Sequence, residues 1–472
     1  MPAPVVEPEA RLRRCLQLAL VGWALLLGAA LRHNLVWGES AARPWQLPLL
    51  NAIEAGGLLG FTVLCGVAWW RALAAVRNAG VDAARLRRMT CALLAAAVVV
   101  PLLSTTDPID YVMRGRILAL HGGNPYVDVA TDFPDDPFVG FGDSGWKDMP
   151  LPYGPIIANL QGLVAWLAHL LPFGARVELV VALLLFKLLF AFALWTSAGW
   201  LAAIAERLRP GARDAAFVAV MWNPMLLFEG IANAHNEPLV LLCLAGAVAA
   251  ATASRFGMSV FALGCGVMSK VVPALMLPAV AAMALRRREL PRLALGAVAT
   301  SIVALLFYWQ LFSAPGAFDV WDRQGDLVGG SFWWVVHEAT GVELGALVAI
   351  GRVGILAWAG WCCVRILQRP EPRELVFAFA SSLLLLAVFG AGLFGTWYHV
   401  WWLPFGLLLG SGYLYRVAVV ASVTSPAAYL IWCGMRRLDD PAQWWGVSVA
   451  VFAPLLLGVL PARPTPNQEV TP

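Results

Sequence analysis

Asp107 and Asp110 stand three residues apart, directly after an apolar run that ends near Ser104. A carboxylate held at the end of a hydrophobic helix has the fixed position a general base needs. The ordinary alternative for an aspartate at such a boundary is to cap the helix that follows. Arg114 and Arg116 come next, and the pattern predicts a short amphipathic helix from about Ile109 to His121, lying at a membrane interface. Its arginines could hold a lipid phosphate or reach for the headgroups as anchors, and anchoring is the expectation for Arg114. Gly122-Gly123-Asn124-Pro125-Tyr126 and Tyr153-Gly154-Pro155 have ordinary turn chemistry. Three more polar groups occur in apolar surroundings: His235-Asn236-Glu237, Lys270 and His399. An ionisable group at membrane depth is costly and is read first as functional, with a partner to be named. For Lys270 that partner is a phosphate, or else Glu229 or Glu237 in an internal ion pair. His399, within Trp397-Tyr398-His399, reads more readily as a hydrogen-bonded packing residue.

The elements that must position these groups follow from composition. Of 472 residues, 60% are hydrophobic and only 13% charged, with 22 Trp and a mean hydropathy of +0.73. Lipid admits helices or closed barrels, and the apolar runs here do not alternate as barrel strands would. The fold class is therefore all-α, a polytopic membrane helix bundle of roughly 11 to 13 spans if each run crosses. Residues 1–104 form the first helices, 105–155 an outer loop, 156–461 the remaining bundle with a second outer loop over 313–338, and 462–472 a disordered tail. Arg-rich clusters at 11–14, 71–88 and 286–292 mark the cytoplasmic side, which places the first loop outside. That loop carries eight acids (Asp107, Asp110, Asp128, Asp132, Asp135, Asp136, Asp143 and Asp148) against Arg114, Arg116 and Lys147. For the basic turn at 207–213 to stay inside, Ile156–Leu171 must re-enter or lie along the interface. Asn223-Pro224 and the polar stretch 233–237 break another long apolar segment, which is tolerated only where protein or water satisfies the freed backbone.

Other classes are disfavoured. A formal charge of +4 argues for no nucleic-acid partner. All eight cysteines lie in or beside apolar runs, so no disulfide framework or metal cluster is expected. In the second loop, Asp319, Asp322, Arg323 and Asp326 lack calcium-loop spacing, and Phe332-Trp333-Trp334 suits a membrane belt, a sugar face or a polyprenyl chain equally.

The string Asp107-Pro-Ile-Asp-Tyr-Val-Met-Arg-Gly-Arg, then Gly123-Asn124-Pro125-Tyr126 and Tyr153-Gly154-Pro155, resembles the polyprenyl-phosphate-sugar-dependent glycosyltransferases of the GT-C superfamily. It is most similar to their bacterial alpha-1,6-mannopyranosyltransferase-like group. Asn223-Pro224 through Glu229, His235-Asn236-Glu237, Lys270 with Pro273, and Trp397-Tyr398 with Pro404 continue the resemblance in order. Departures are Glu237 where the group has Asp, Arg114 where an acid is frequent, and two spans before the loop where many members have one. The resemblance implies inverting transfer of a hexose, mannose first, from a polyprenyl phosphate to a glycan or glycolipid acceptor. The site would face outward from the plasma membrane, without cofactor or metal. Asp107 would be the base, with Asp110 beside it; Arg116 and Lys270 would meet the donor phosphate. Asn124, Tyr126, Tyr153, His235, Asn236, Glu237, Tyr398 and His399 would bind substrate. The competing class is a transporter or lipid-linked sugar flippase, which also uses broken helices and buried charges. A membrane scaffold without chemistry ranks last, since it leaves Lys270 and His235 as pure cost.

Overall fold

The computed structural model describes residues 8–37, 48–78, 81–103, 105–141, 146–171, 173–308, 330–435 and 452–459. Asp143, Asp319, Asp322, Arg323, Asp326 and the tail 462–472 lie outside the described residues. The architecture is all-α. The first helices are α1 (Pro8–Trp37), α2 (Pro48–Asn78), α3 (Ala83–Val99) and α4 (Asp107–Ala119), followed by α5 (Pro155–His169), α6 (Ala175–Leu208), α7 (Arg213–Met221) and α8 (Pro224–Leu227). They continue as α9 (Glu237–Thr252), α10 (Phe256–Val267), α11 (Leu277–Arg286) and α12 (Leu290–Phe307). The last are α13 (Phe332–Thr340), α14 (Leu344–Gln368), α15 (Pro372–Phe389), α16 (His399–Leu409) and α17 (Gly412–Met435).

Among the described residues, six helices are long and apolar enough to cross a bilayer: Pro8–Arg32, Ile53–Arg77, Ala175–Leu208, Leu290–Phe307, Leu344–Gln368 and Pro372–Phe389. The pair Arg213–Met221 and Pro224–Ala232, bent by 47°, would make a seventh. The apolar runs outnumber these helices because several fold into shorter pieces, such as the 16 residues of α9 and the 12 of α10. Most of Ile156–Leu171 lies in α5 (Pro155–His169), whose 15 residues rise about 22 Å. On α12, Leu295, Leu305 and Leu306 are about 70% exposed, as apolar side chains are when lipid is their solvent. That helix is held to α10 by a close approach at Gly296, where a Cβ would sit 2.2 Å from the Gly257 carbonyl.

The core lies around the broken segment. Residues 218–241 are buried without interruption, and they include Asn223, Glu229, Asn233, His235, Asn236 and Glu237. Asn223 caps α8 by accepting from the amides of Met225 and Leu226, and its own amide donates to Ser422 on α17 at 2.8 Å. The next turn, Phe228–Ala232, is a π-helix, a form concentrated at functional sites. Ala234 then takes a left-handed φ of 53°, which costs a residue with a Cβ about 1–2 kcal/mol. These two irregularities reverse the chain into α9 and bring His235, Asn236 and Glu237 to its start.

The α4 helix differs from the interfacial helix expected over Ile109–His121. It begins at Asp107 and is packed on all sides, with Asp110 through Ile117 buried. Gly115 permits this, since a Cβ there would fall 2.2 Å from the Gln161 carbonyl of α5. Arg114 accordingly does not snorkel: it is buried, with its guanidinium 3.4 Å from the Met149 carbonyl.

Candidate active site

Asp107 opens α4, its amide donating to Thr105 Oγ1 at 3.1 Å, and its side chain keeps 21% of its exposure. His235 faces it, Nε2 lying 3.9 Å from Asp107 Oδ2. On the other side of the ring, Nδ1 is 3.1 Å from Glu229 Oε2, and the imidazole stacks on Trp397 at 4.6 Å. Glu229 is fully buried and accepts from Asn233 Nδ2 at 3.0 Å and from Thr396 Oγ1. Burial alone would push the His235 imidazole down, but the Glu229 carboxylate, helped by Asp107 and Glu237, holds it above its ordinary range.

Lys270 joins this cluster through the loop. The amide of Gly154 donates to the Ser269 carbonyl at 3.0 Å and that of Ile156 to the Met268 carbonyl at 3.0 Å. A Cβ on Gly154 would lie 2.2 Å from Met268 O, so glycine is what lets the two backbones meet. Tyr153 is thereby laid under Lys270, whose ammonium sits 4.8 Å from the ring centroid. The same ammonium pairs with Glu237 Oε1 and lies 5.9 Å from the Trp401 ring. Tyr153 meets Tyr111 edge to face at 5.7 Å, and Tyr398 stacks on Trp401 at 4.5 Å. Burial, with Asp107 and Glu237 nearby, raises the phenols of Tyr111, Tyr153 and Tyr398. They remain neutral donors around two carboxylates.

Several polar atoms in this cluster have no hydrogen-bond partner among the described residues: both side-chain amide atoms of Asn236, Oε2 of Glu237 and Nε1 of Trp401, all buried. Buried polar groups are normally satisfied, and these four atoms belong to the cluster that holds Asp107, His235 and Lys270.

Other expected site residues fall elsewhere. Arg116 is buried between two carboxylates, pairing with Asp136 at 2.9 Å and with Glu178, and it covers the Phe138 ring at 4.2 Å. Its fork is occupied in holding the 105–155 loop to α6, which leaves it poorly suited to a donor phosphate. His121 adds a contact to Asp136 at 2.7 Å. Asn124 builds the turn, its Oδ1 accepting from the Tyr126 amide at 3.1 Å, and Tyr126 packs with Leu151 and Ala158 against Tyr153. Asp110 is buried one turn beyond Asp107. His399 accepts from Trp402 Nε1 at 3.0 Å and packs on Phe394 and Trp402, the place of a packing residue.

Sequence reasoning passed over the role of Glu229 as partner of His235, the aromatic wall of Tyr111, Trp397 and Trp401, and Lys187. Lys187 is the lone cation in the 34 residues of α6 between its first and last turns, and it donates to the Val100 carbonyl at the end of α3. Its isolation in an apolar run was the available signal.

A helical membrane bundle whose polar cluster joins a carboxylate, cations and phenols is, with the family match that follows, an integral membrane glycosyltransferase. Residues 15–286, more than half of the chain, match the family described as alpha-(1->6)-mannopyranosyltransferase, N-terminal domain, and the chain belongs to that family. Comparison with curated proteins returned no match.

Proposed function

We propose that this protein transfers a mannosyl residue from a polyprenyl phosphate to a hydroxyl of a glycan or glycolipid, with inversion, at the outer face of the plasma membrane. The observation that carries the reading is the meeting of Asp107 with His235 and of Lys270 with Glu237 and Tyr153, at the start of the outer loop and around unsatisfied polar atoms. Asp107 takes the acceptor hydroxyl proton as that oxygen attacks the anomeric carbon. The bond from that carbon to the phosphate oxygen breaks, and the polyprenyl phosphate leaves with the electron pair.

Charge on the leaving phosphate is met by Lys270, by an attraction that strengthens where water is excluded, while His235 stays beside the Asp107 carboxylate and orients it. Arg116 is left out because both of its carboxylates already occupy it. Asn236, Glu237 and the Tyr153 and Tyr398 phenols orient sugar hydroxyls. Lys270 exchanges Glu237 for phosphate when donor binds, which makes that ion pair a gate on donor affinity.

The test is transfer from radiolabelled polyprenyl-phosphate mannose in membranes holding the wild-type chain or Asp107→Asn, with lipid and polysaccharide extracts as acceptors. Removing a general base lowers rates by about 10²–10⁴-fold, so labelled product should all but vanish in the variant. Undiminished transfer would reject Asp107 as the base. Absence of product from every polyprenyl-phosphate sugar, with folded wild-type protein, would reject the transferase reading.

A further inference from the structure

At the far end of the first helices from Asp107, α1 and α2 enclose a cleft of about 320 Å³ lined by Arg11, Arg14, Cys15, Leu18, Arg71, Ala74 and Ala75. Its walls follow from helical spacing. Arg11, Arg14, Cys15 and Leu18 recur every three or four residues along one face of α1, and Arg71, Ala74 and Ala75 do so along α2. Nearer the middle the two helices are in close contact. A Cβ on Gly57 would fall 2.9 Å from the Leu25 carbonyl, one on Gly22 would fall 2.8 Å from Cys65 Sγ, and Trp23 meets Phe61 edge to face at 4.6 Å. Beyond these contacts the small side chains of Ala74 and Ala75 face the α1 arginines, and the space between the helices is left open.

Among the described residues, the charges in the cleft have no carboxylate partner. Arg77 on the same helix donates to the Tyr415 hydroxyl at 2.8 Å, and Arg85 pairs with Glu9. Arg11, Arg14 and Arg71, by contrast, have no carboxylate partner among the described residues. Three guanidinium groups converging on one volume repel each other, and the arrangement is completed by an anion between them. The Glu9–Arg85 pair puts the start of α1 beside the start of α3. Asp107 follows the other end of α3, 17 residues or about 25 Å away. The cleft is therefore separate from the candidate active site and at the other end of α3, with Leu18 on the side of the arginines nearer the helix middle and Ala74 and Ala75 level with Arg11.

We propose that this cleft binds the phosphate of an anionic phospholipid, the headgroup among Arg11, Arg14 and Arg71 and the acyl chains along the apolar wall. Basic pockets between helices at a membrane boundary are suited to such headgroups. Phosphate is the recognised chemistry, and its position at the lipid boundary favours a lipid over a soluble phosphate.

The test uses the full-length protein in detergent, stripped of lipid. Thermal unfolding is followed as phosphatidylglycerol, phosphatidylcholine or inorganic phosphate is added, and native mass spectrometry counts retained lipids. Phosphatidylglycerol should raise the unfolding temperature in proportion to occupancy, and phosphatidylcholine should do little. Replacing the three residues together (Arg11→Gln, Arg14→Gln, Arg71→Gln) should weaken phosphatidylglycerol binding at least tenfold. The lipid-free variant should unfold no earlier than wild type, because like charges have been removed. A control at exposed arginines of α3 (Arg87→Gln with Arg88→Gln) should change binding less than twofold. Arg71→Gln alone should give an intermediate loss should the triple variant fail to fold. Equal losses in the control, or no preference for the anionic lipid, would overturn the site. Displacement of the lipid by millimolar inorganic phosphate would overturn its assignment to a lipid.

Discussion

On the proposed reading, Glu229 acts on the chemistry through His235, whose imidazole it raises and which lies between it and Asp107. Its effect can be separated from a packing role by pH. The imidazole sits above its ordinary range because Glu229 outweighs burial, so it keeps its proton as pH rises until that raised value is passed. Glu229→Gln removes the principal raising charge and leaves burial in control. The alkaline limb of the transfer rate should then move toward acid, and a purely structural loss would instead scale the rate down at every pH. Lys270→Ala should raise the donor KM more than it lowers kcat if the ammonium serves ground-state phosphate binding, measured with polyprenyl-phosphate mannose at saturating acceptor. Asp107, His235 and Lys270 were legible because ionisable residues are rare in apolar sequence. For Lys270 the sequence already offered Glu229 or Glu237 as an ion-pair partner, and the structure supplies Glu237; for Arg116 it offered none until Asp136 and Glu178 are brought against it.

At the level of elements, the chain joins the acidic 105–155 loop to the bundle by backbone contact. Gly154 lies so close to the Met268 carbonyl that a methyl group would fall 2.2 Å from it. Gly154→Ala forces the turn away from Ser269, at a cost of about 1–3 kcal/mol, and should separate Tyr153 from Lys270. The expected outcome is a lower unfolding temperature with a larger fractional loss of transfer than of stability, read by parallel melting and activity measurements. The Gly and Pro of Tyr153-Gly154-Pro155 announced a turn, but its docking partner 114 positions along the chain (Met268) carries no local mark. The same holds for α4, whose amphipathic pattern suggested a surface helix. Its arginines are apolar in stem and are enclosed by α5 and the loop, and only assembly shows that their charges are met by protein.

Across the whole molecule, the buried Arg116, Asp136 and Glu178, with His121 at their edge, tie the acidic loop to α6. Burial would raise the Asp136 carboxyl, but the Phe138 amide, His121 and Arg116 together hold it below its ordinary value of 3.8. A carboxylate depressed in the folded state contributes stability above its unfolded value and loses it as pH falls through the folded one. Loop protection in hydrogen exchange should therefore decline below about pH 3.8, and Asp136→Asn should show weak protection at neutral pH with less dependence on acid. Leaving the guanidinium short of one buried partner costs about 1–3 kcal/mol. The side of the membrane is checked by cysteine at exposed Asp135. An impermeant thiol reagent should label it on intact cells, and labelling only after lysis would place the loop inside.

The membrane class, the helical architecture and the order of the motifs were determined by the sequence itself, because apolar run length, arginine placement and turn residues act locally. Tertiary structure alone decided how many runs become full-length helices, since π-helix, proline and left-handed Ala234 shorten them only where neighbours satisfy the backbone. It alone also decided which charge answers which. An ion pair is a property of two side chains meeting in space, and neither Arg116 nor Lys270 carries in its own sequence neighbourhood any record of the carboxylate that folding sets beside it.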